Sequence, residues 1–358
     1  NIVRSGRSSF SLLLLFLCTL LAGSCTTDGE RRYWADVIAE ADSMNRNYVP
    51  MTSDSLLIGA CEFYDRHGSP NERMKAHYLL GCVYRDMGEA PRAIECYQDA
   101  IACADTTDAE CDFQKLGCVY SQMGDVFHRQ LLLLNEMNAR RQALKYFNQI
   151  GRTFNIGFEL RFIAGIYALE NKVDSAELIF KNAVDILEKN NYCQEALQIS
   201  TLLMHLYSNQ PNQKMQLKQL IDKYESESSL FDESRNLPPF ARQFFYYKGK
   251  YYEFANQLDS AEFYYHKIYR PNMKSAQKDP MYRGLLSVFQ TRHQSDSIAK
   301  YAKLLCEAND SSIAIKDQDL TAQVAASYNY AHYQKQSLDS EKKAYRANLR
   351  SIIILSFT

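Results

Sequence analysis

Glycine and proline are scarce, with 14 and 8 residues in a chain of 358. A sandwich or barrel of many short strands needs turn residues at close intervals. The shortage argues against such a fold and for long helices with short connections. Tryptophan occurs once, at Trp34, although tyrosine (25) and phenylalanine (18) are plentiful. Neither sign of charge is in excess, at 41 lysines and arginines against 42 aspartates and glutamates. Sequence-independent nucleic-acid binding needs clustered positive charge to displace counterions, so nucleic acid is not an expected partner. Catalytic signatures are missing too: there is no HExxH, no GxSxG, no phosphate loop and no Rossmann glycine set, and the seven histidines are scattered. No enzymatic activity, cofactor or metal is expected. The cysteines include no CxxC pair. Cys96 and Cys103 lie seven residues apart, as do Cys111 and Cys118, an interval that keeps to one helix face. They read as small core residues, with a disulfide in an oxidising compartment or a metal site as the alternatives.

The N-terminus carries an export pattern. Arg4 and Arg7 precede a 14-residue apolar run, Phe10 to Gly23, too short to span a bilayer comfortably but suited to a signal peptide. It ends in Leu21-Ala22-Gly23-Ser24-Cys25, which resembles a bacterial lipobox with Cys25 as the lipidated first residue. The lipobox leucine belongs three residues before the cysteine, where Ala22 stands. Ordinary cleavage after small residues, or an uncleaved anchor, therefore remains open.

A repeat follows. Within Met74 to Ala100 (MKAHYLLGCVYRDMGEAPRAIECYQDA), Leu80-Gly81 is followed by Tyr84, Gly88, Ala93, Tyr97 and Ala100. Gly81 and Ala93 are small where two helices would cross, Tyr84 and Tyr97 fill the space between hairpins, and Gly88 suits the turn. The set recurs as Leu116-Gly117 with Tyr120 and Gly124; as Ile163-Ala164 with Tyr167, Ala176, Phe180 and Ala183; as Gly249 with Tyr252, Ala261 and Tyr265; and more weakly around Phe289. Asp174-Ser175, Asp259-Ser260 and Asp296-Ser297 are expected to cap the second helix of their hairpins. The marker aromatics Tyr84, Tyr120, Tyr167, Tyr207, Tyr252 and Phe289 lie 36 to 47 residues apart. The pattern resembles the tetratricopeptide repeat with extended helices. The fold class expected is an all-α, tetratricopeptide-like solenoid of helical hairpins.

Divided along the chain, 1–24 is a signal peptide and 25–70 a linker and capping hairpin (Asp36 to Asn45, Asp54 to Arg66). Residues 71–207 form a first half of the repeats, 208–240 a helix (Met215 to Tyr224) and linker loop, 241–319 a second half, and 320–358 a long helix. The 26 residues from Gly117 to Ala143, against 12 from Gly81 to Ala93, suggest an added short helix. Its Leu131 to Leu134 is expected to pack internally, a protruding hairpin being the alternative. His77 is expected to pack structurally. The rings of Phe244-Phe245-Tyr246-Tyr247 and Tyr251-Tyr252 are read as core ahead of a sugar-stacking platform. The C-terminus turns apolar from Ile352, as a helix entering a membrane would, although Lys342, Lys343, Arg346 and Arg350 run against the positive-inside tendency.

Tyr78 to Ile101, Tyr246 to Ile268 and Ser327 to Gln336 are similar to a bacterial family of exported tetratricopeptide proteins. Its members carry a signal or lipoprotein sequence before the repeats, and a transmembrane helix and cytoplasmic segment after them. That resemblance implies a sensor or scaffold at a membrane, with a protein or peptide held in the groove lined by the first helix of each hairpin. The groove positions it maps are Lys75, Tyr78, Cys82 and Arg85; Gln114, Cys118 and Ser121; Phe158, Arg161 and Ala168; and Gln243, Tyr246, Lys250 and Glu253. The alternative is a glycan-capture lipoprotein of the starch-utilisation type, which the lone tryptophan and the apolar C-terminus disfavour.

Overall fold

The structure, a computed structural model, describes residues 28–310. The leader, Cys25, and the segment from Leu320 with its apolar end at Ile352 lie outside the described residues. Among these the chain is helical throughout, with no strand. The helices are α1 (28–46), α2 (Ser55–His67), α3 (Pro70–Asp86), α4 (Ala90–Cys103), α5 (Phe113–Arg129), α6 (Leu133–Gln149), α7 (Thr153–Leu169), α8 (Val173–Lys189), α9 (Cys193–Tyr207), α10 (Lys214–Glu227), α11 (Phe244–Phe254), α12 (Leu258–His266), α13 (Asp279–Thr291) and α14 (295–310). Within α5, between Val126 and Phe127, the chain divides into two compact units.

One turn is used seven times. A residue in the left-handed region is followed by a linker residue and then by the next helix. The left-handed positions are Gly88, Leu131, Gly151, Asn171, Asn191, Asn256 and His293. In each case the linker N–H donates to the carbonyl five residues back, for example Glu89 to Tyr84 (2.8 Å), Lys172 to Tyr167 (2.9 Å) and Gln257 to Tyr252 (2.9 Å). This is the Schellman closure, which satisfies a carbonyl the helix end would otherwise strand. Asparagine tolerates the left-handed conformation better than most residues, which accounts for three of the seven positions. The expected aspartate caps are corrected by these turns. Asp174 and Asp259 sit inside the first turn of α8 and α12, whose N-cap residues are Lys172 and Gln257 with no side-chain cap bond. There the acids face the positive end of the helix dipole.

The turns also reset the second repeat. Gly81 is the twelfth residue of α3 and Ala164 the twelfth of α7; in α5 the twelfth is Gly124, not Gly117. The turn carbonyl is accordingly that of Phe127, which is 3% exposed, rather than of Tyr120. No helix is inserted: α5 and α6 have 17 residues each and a short turn joins them. Leu131 and Leu134, expected inside, are exposed, because the first holds the left-handed turn position and the second lies on the outer side of α6.

In the first unit, Ser69 and Glu72 form a capping box before α3, with Pro70 at the first helical position. Glu72 also receives both bonds of Arg31 from α1, at 2.7 and 2.8 Å. Gly81 lies against Tyr97 of α4; a Cβ there would come within 2.5 Å of the ring. In the second unit the same relation appears twice, since Gly249 of α11 and Gly284 of α13 both face the ring of Tyr265 in α12. Helix α10, from the stretch expected to divide the array, packs on both α9 and α11. Phe244, Phe245, Tyr246 and Tyr247 are all buried, as the core reading requires.

Candidate functional site

Of the mapped groove positions in the first unit, Lys75, Tyr78, Cys82 and Arg85 fall on one face of α3, and Gln114, Cys118 and Ser121 on α5. The structure turns most of the α3 face inward. Tyr78 is 4% exposed and Cys82 has no exposed surface, so neither is open to a ligand. The reason is packing between neighbouring first helices. Asn45 of α1 donates to the Tyr78 hydroxyl (3.1 Å), and Tyr97 reaches the Cys82 sulfur (3.7 Å). Arg85 donates to Asp86 (2.6 Å), to Gln122 of α5 (2.5 Å) and to Asn45 (3.1 Å), and only 13% of its side chain is exposed. Lys75 is more open but is held by Asp42 of α1 at 3.1 Å. Gln114 is exposed, Cys118 half-buried and Ser121 buried.

Asp42 is a node that no sequence pattern marks. It is buried, yet it takes Lys75, Lys115 of α5 at 3.3 Å, and Arg46. Burial pushes its pKa up, but Lys115 and the hydrogen bonds from Arg46 and Lys75 outweigh that and hold it at about 2. The carboxylate therefore contributes stability above its unfolded pKa of about 3.9, and loses it as pH falls through the folded value. Urea unfolding of the full chain at a series of pH values, followed by circular dichroism, should show Asp42→Asn losing about 2–3 kcal/mol at pH 7. Between about pH 4 and pH 2 that difference from wild type should close. A constant difference down to pH 2 would mean the cations do not depend on Asp42.

In the second unit the mapped positions separate. Tyr246 is buried, with its ring 5.9 Å from that of Tyr265. Lys250 and Glu253 pair at 2.8 Å, and Glu253 also accepts from the Tyr265 hydroxyl (2.6 Å) and Ser287 (2.9 Å). These groups tie α11, α12 and α13 together. Gln243 stands at the start of α11 and is exposed. Helix α7 is different. Phe154, Phe158 and Phe162 follow one another at four-residue intervals with centroids 6.5 and 5.0 Å apart. Phe154 is 39% exposed, and Phe158, Phe162 and Ala168 are half-buried. The guanidinium of Arg161 lies over Phe158 at 4.6 Å and over Phe162 at 4.3 Å. Phe158 and Arg161 were mapped from the repeat. Phe154 and Phe162 were missed, although their four-residue spacing in FNIGFELRF was legible.

No protein-family model and no curated protein matches this chain. Solved structures do. A tetratricopeptide repeat protein from Parabacteroides merdae superposes with a TM-score of 0.50 at 13% identity, covering 82% of this chain and 99% of that one. The fold is the tetratricopeptide-type helical repeat. Aspartyl phosphate phosphatase F from Bacillus subtilis is similar to the same degree, with a TM-score of 0.50 at 11% identity over 71% of this chain and 64% of that one. At such identities the likeness concerns the path of the helices and not the side chains on them.

The second tetratricopeptide hairpin departs from its neighbours inside the fold. Where α4, α8 and α12 place alanine fourth and an aromatic eighth (Ala93 and Tyr97, Ala176 and Phe180, Ala261 and Tyr265), α6 places Glu136 and Arg140. Both are fully buried. Arg140 lies 3.6 Å from Glu136 and 3.3 Å from Glu159 of α7, with its guanidinium 3.8 Å over Phe162. His128 reaches Glu136 at 3.0 Å. The aromatic strip of α7 thus rests on an ionic base.

Proposed function

We propose that the array is a non-catalytic module that binds a polypeptide segment of a partner protein, and that Phe154, Phe158, Arg161 and Phe162 on α7 help to hold it. The observation that carries this is the strip itself. Burying a phenylalanine side chain contributes roughly 1.5–3 kcal/mol, and here three in a line are left partly open along α7. Contiguous apolar surface of that kind marks interaction sites more often than chance. Arg161 adds positive charge beside Phe158 and Phe162, and Arg140 lies under Phe162. The tetratricopeptide fold supports the reading, since such arrays hold peptides on the first helices of their hairpins. The half-open face at Lys75 and Lys115 is a second, more cationic surface in the first unit.

The array is further proposed to stand on the exported side of a bacterial membrane, tethered through a lipid on Cys25, a helix from about Ile352, or both. The support is the N-terminal leader and the apolar C-terminus. Among the described residues no helix is long and apolar enough to cross a membrane. A ligand could then shift a membrane helix only by preferring one arrangement of the repeats over another.

A photo-crosslinking residue placed at position 154 in cells tests the site, with position 178 as the control. Leu178 of α8 is 69% exposed and lies away from the strip in sequence. The expected result is discrete polypeptide adducts from 154 and none from 178, in the membrane fraction, with release to the soluble fraction in Cys25→Ala if the lipid is the sole tether. Equal adducts from both positions, or glycan retention by the protein without any polypeptide adduct, would remove the peptide reading in favour of glycan capture or nonspecific contact.

A further inference from the structure

Three helices of the first unit bring unlike metal-ligating groups to one point. Asp65 comes from the last turn of α2, His77 from the middle of α3, and Cys103 from the last residue of α4. Their ligand atoms all lie within 4.8 Å of one another, and His77 Nε2 is 3.0 Å from an Asp65 carboxylate oxygen. A carboxylate, an imidazole and a thiol together are the donor set of a borderline divalent cation. Around a tetrahedral zinc ion with bonds of about 2.0–2.3 Å, ligand atoms stand roughly 3.3–3.8 Å apart. The His77–Asp65 pair stands at 3.0 Å and no pair of ligand atoms exceeds 4.8 Å, so side-chain rotations, with Asp65 half-exposed and free to turn, would bring the donors to that spacing.

We infer that Asp65, His77 and Cys103 form a binding site for a zinc-class divalent cation, with a fourth position left for water or a partner's side chain. The metal would take the place of the His77–Asp65 hydrogen bond, bound by the imidazole Nε2 and a carboxylate oxygen, and would bind Cys103 as thiolate, the thiol proton passing to solvent. Asp99 of α4 and Arg73, one turn before His77, are nearby charged groups, one of each sign. Cys61 and Cys96 lie close by but are buried, which pushes both thiols up, Cys96 to about 12. They remain protonated hydrophobes. A bound ion would link α2, α3 and α4, stabilising the first repeat by an amount that grows with the logarithm of free metal over its Kd.

Cobalt(II) titration of the reduced full-length chain reads this directly, because a thiolate ligand adds a sulfur-to-cobalt charge-transfer band. The expected result is one equivalent bound with that band and displaced by zinc. Cys103→Ser should abolish the band, and His77→Gln and the surface change Asp65→Asn should each weaken binding by at least about tenfold, since even the loss of a group that only orients a ligand costs about that much. Cys61→Ser and Cys96→Ser should keep the band. Thermal melts without metal serve as the folding control, and Asp65→Asn, on a half-exposed side chain, keeps the test open if Cys103→Ser melts early. No binding, a band that survives Cys103→Ser, or a band lost only with Cys61 or Cys96 would overturn the inference.

Discussion

Arg140→Met is expected to destabilise the second unit by about 3–5 kcal/mol, because it strands Glu136 and Glu159 in a site with almost no solvent. Arg140 meets Glu136 at 3.6 Å and Glu159 at 3.3 Å, and its guanidinium covers Phe162. Removing the cation leaves two carboxylates that must either protonate or pull water into the core. The neighbouring hairpins show what an uncharged solution looks like at these positions. The triple change Glu136→Ala, Arg140→Tyr and Glu159→Ala copies Ala93, Tyr97 and Ala76 of the first clear repeat, all of them buried. That variant should recover most of the loss, since well-packed apolar replacements of buried ion sets are often neutral or stabilising. Urea unfolding of the full chain measures both. A single variant within about 0.5 kcal/mol of wild type would mean the cluster is hydrated enough to lose its cation without penalty. The triple variant should also test whether the ionic base matters to binding, because it alters the support under Phe162 while leaving Phe154 and Phe158 in place.

Gly284→Leu should cost about 3 kcal/mol, the upper end of what overpacking a closed core produces. A Cβ at residue 284 would already stand 2.5 Å from the Tyr265 ring. The ring cannot move aside, because Gly249 holds its other face and its hydroxyl donates to Glu253 at 2.6 Å. The gain in helix propensity on replacing glycine, at most about 1 kcal/mol, is too small to reverse the sign. A second change, Tyr265→Ala, makes room, so the double variant should show a favourable coupling of about 1 kcal/mol or more between neighbours that share one space. Hydrogen exchange should place the opening in α11 to α13, since a repeat array is held at nearest-neighbour interfaces. Additive losses would show that Tyr265 is not the obstacle.

The glycines illustrate how far pattern alone reaches. Gly81, Ala93, Tyr97 and Ala100 were readable because the first repeat keeps the small and large positions at their usual intervals. Gly117 misled because Gly124 lies seven residues later, which is one helix face, and periodicity cannot tell two residues on the same face apart. The closing turn does, through the left-handed Leu131 and the bond from Leu132 to the Phe127 carbonyl at 3.0 Å. Leucine carries no turn signature, so nothing local announced it. The same applies to the groove. Repeat spacing put Tyr78 and Cys82 on the first-helix face correctly, but whether that face opens to solvent depends on Asn45 of α1 and Gln122 of α5, which sequence distance hides.

Helices, their pairing into hairpins, the scarcity of turns and the absence of a catalytic motif were determined by the sequence itself. These follow from interactions within four or five residues, where hydrogen bonding and apolar period repeat along the chain. The tertiary structure alone decided which side chains meet across helices: Asp42 with Lys75 and Lys115, Arg140 with Glu159, Tyr265 between two glycines, and Asp65 with His77 and Cys103. Those contacts join residues 12 to 73 positions apart. They depend on how helices lie against one another, which is set by the packing of whole faces and by no single interval in the chain.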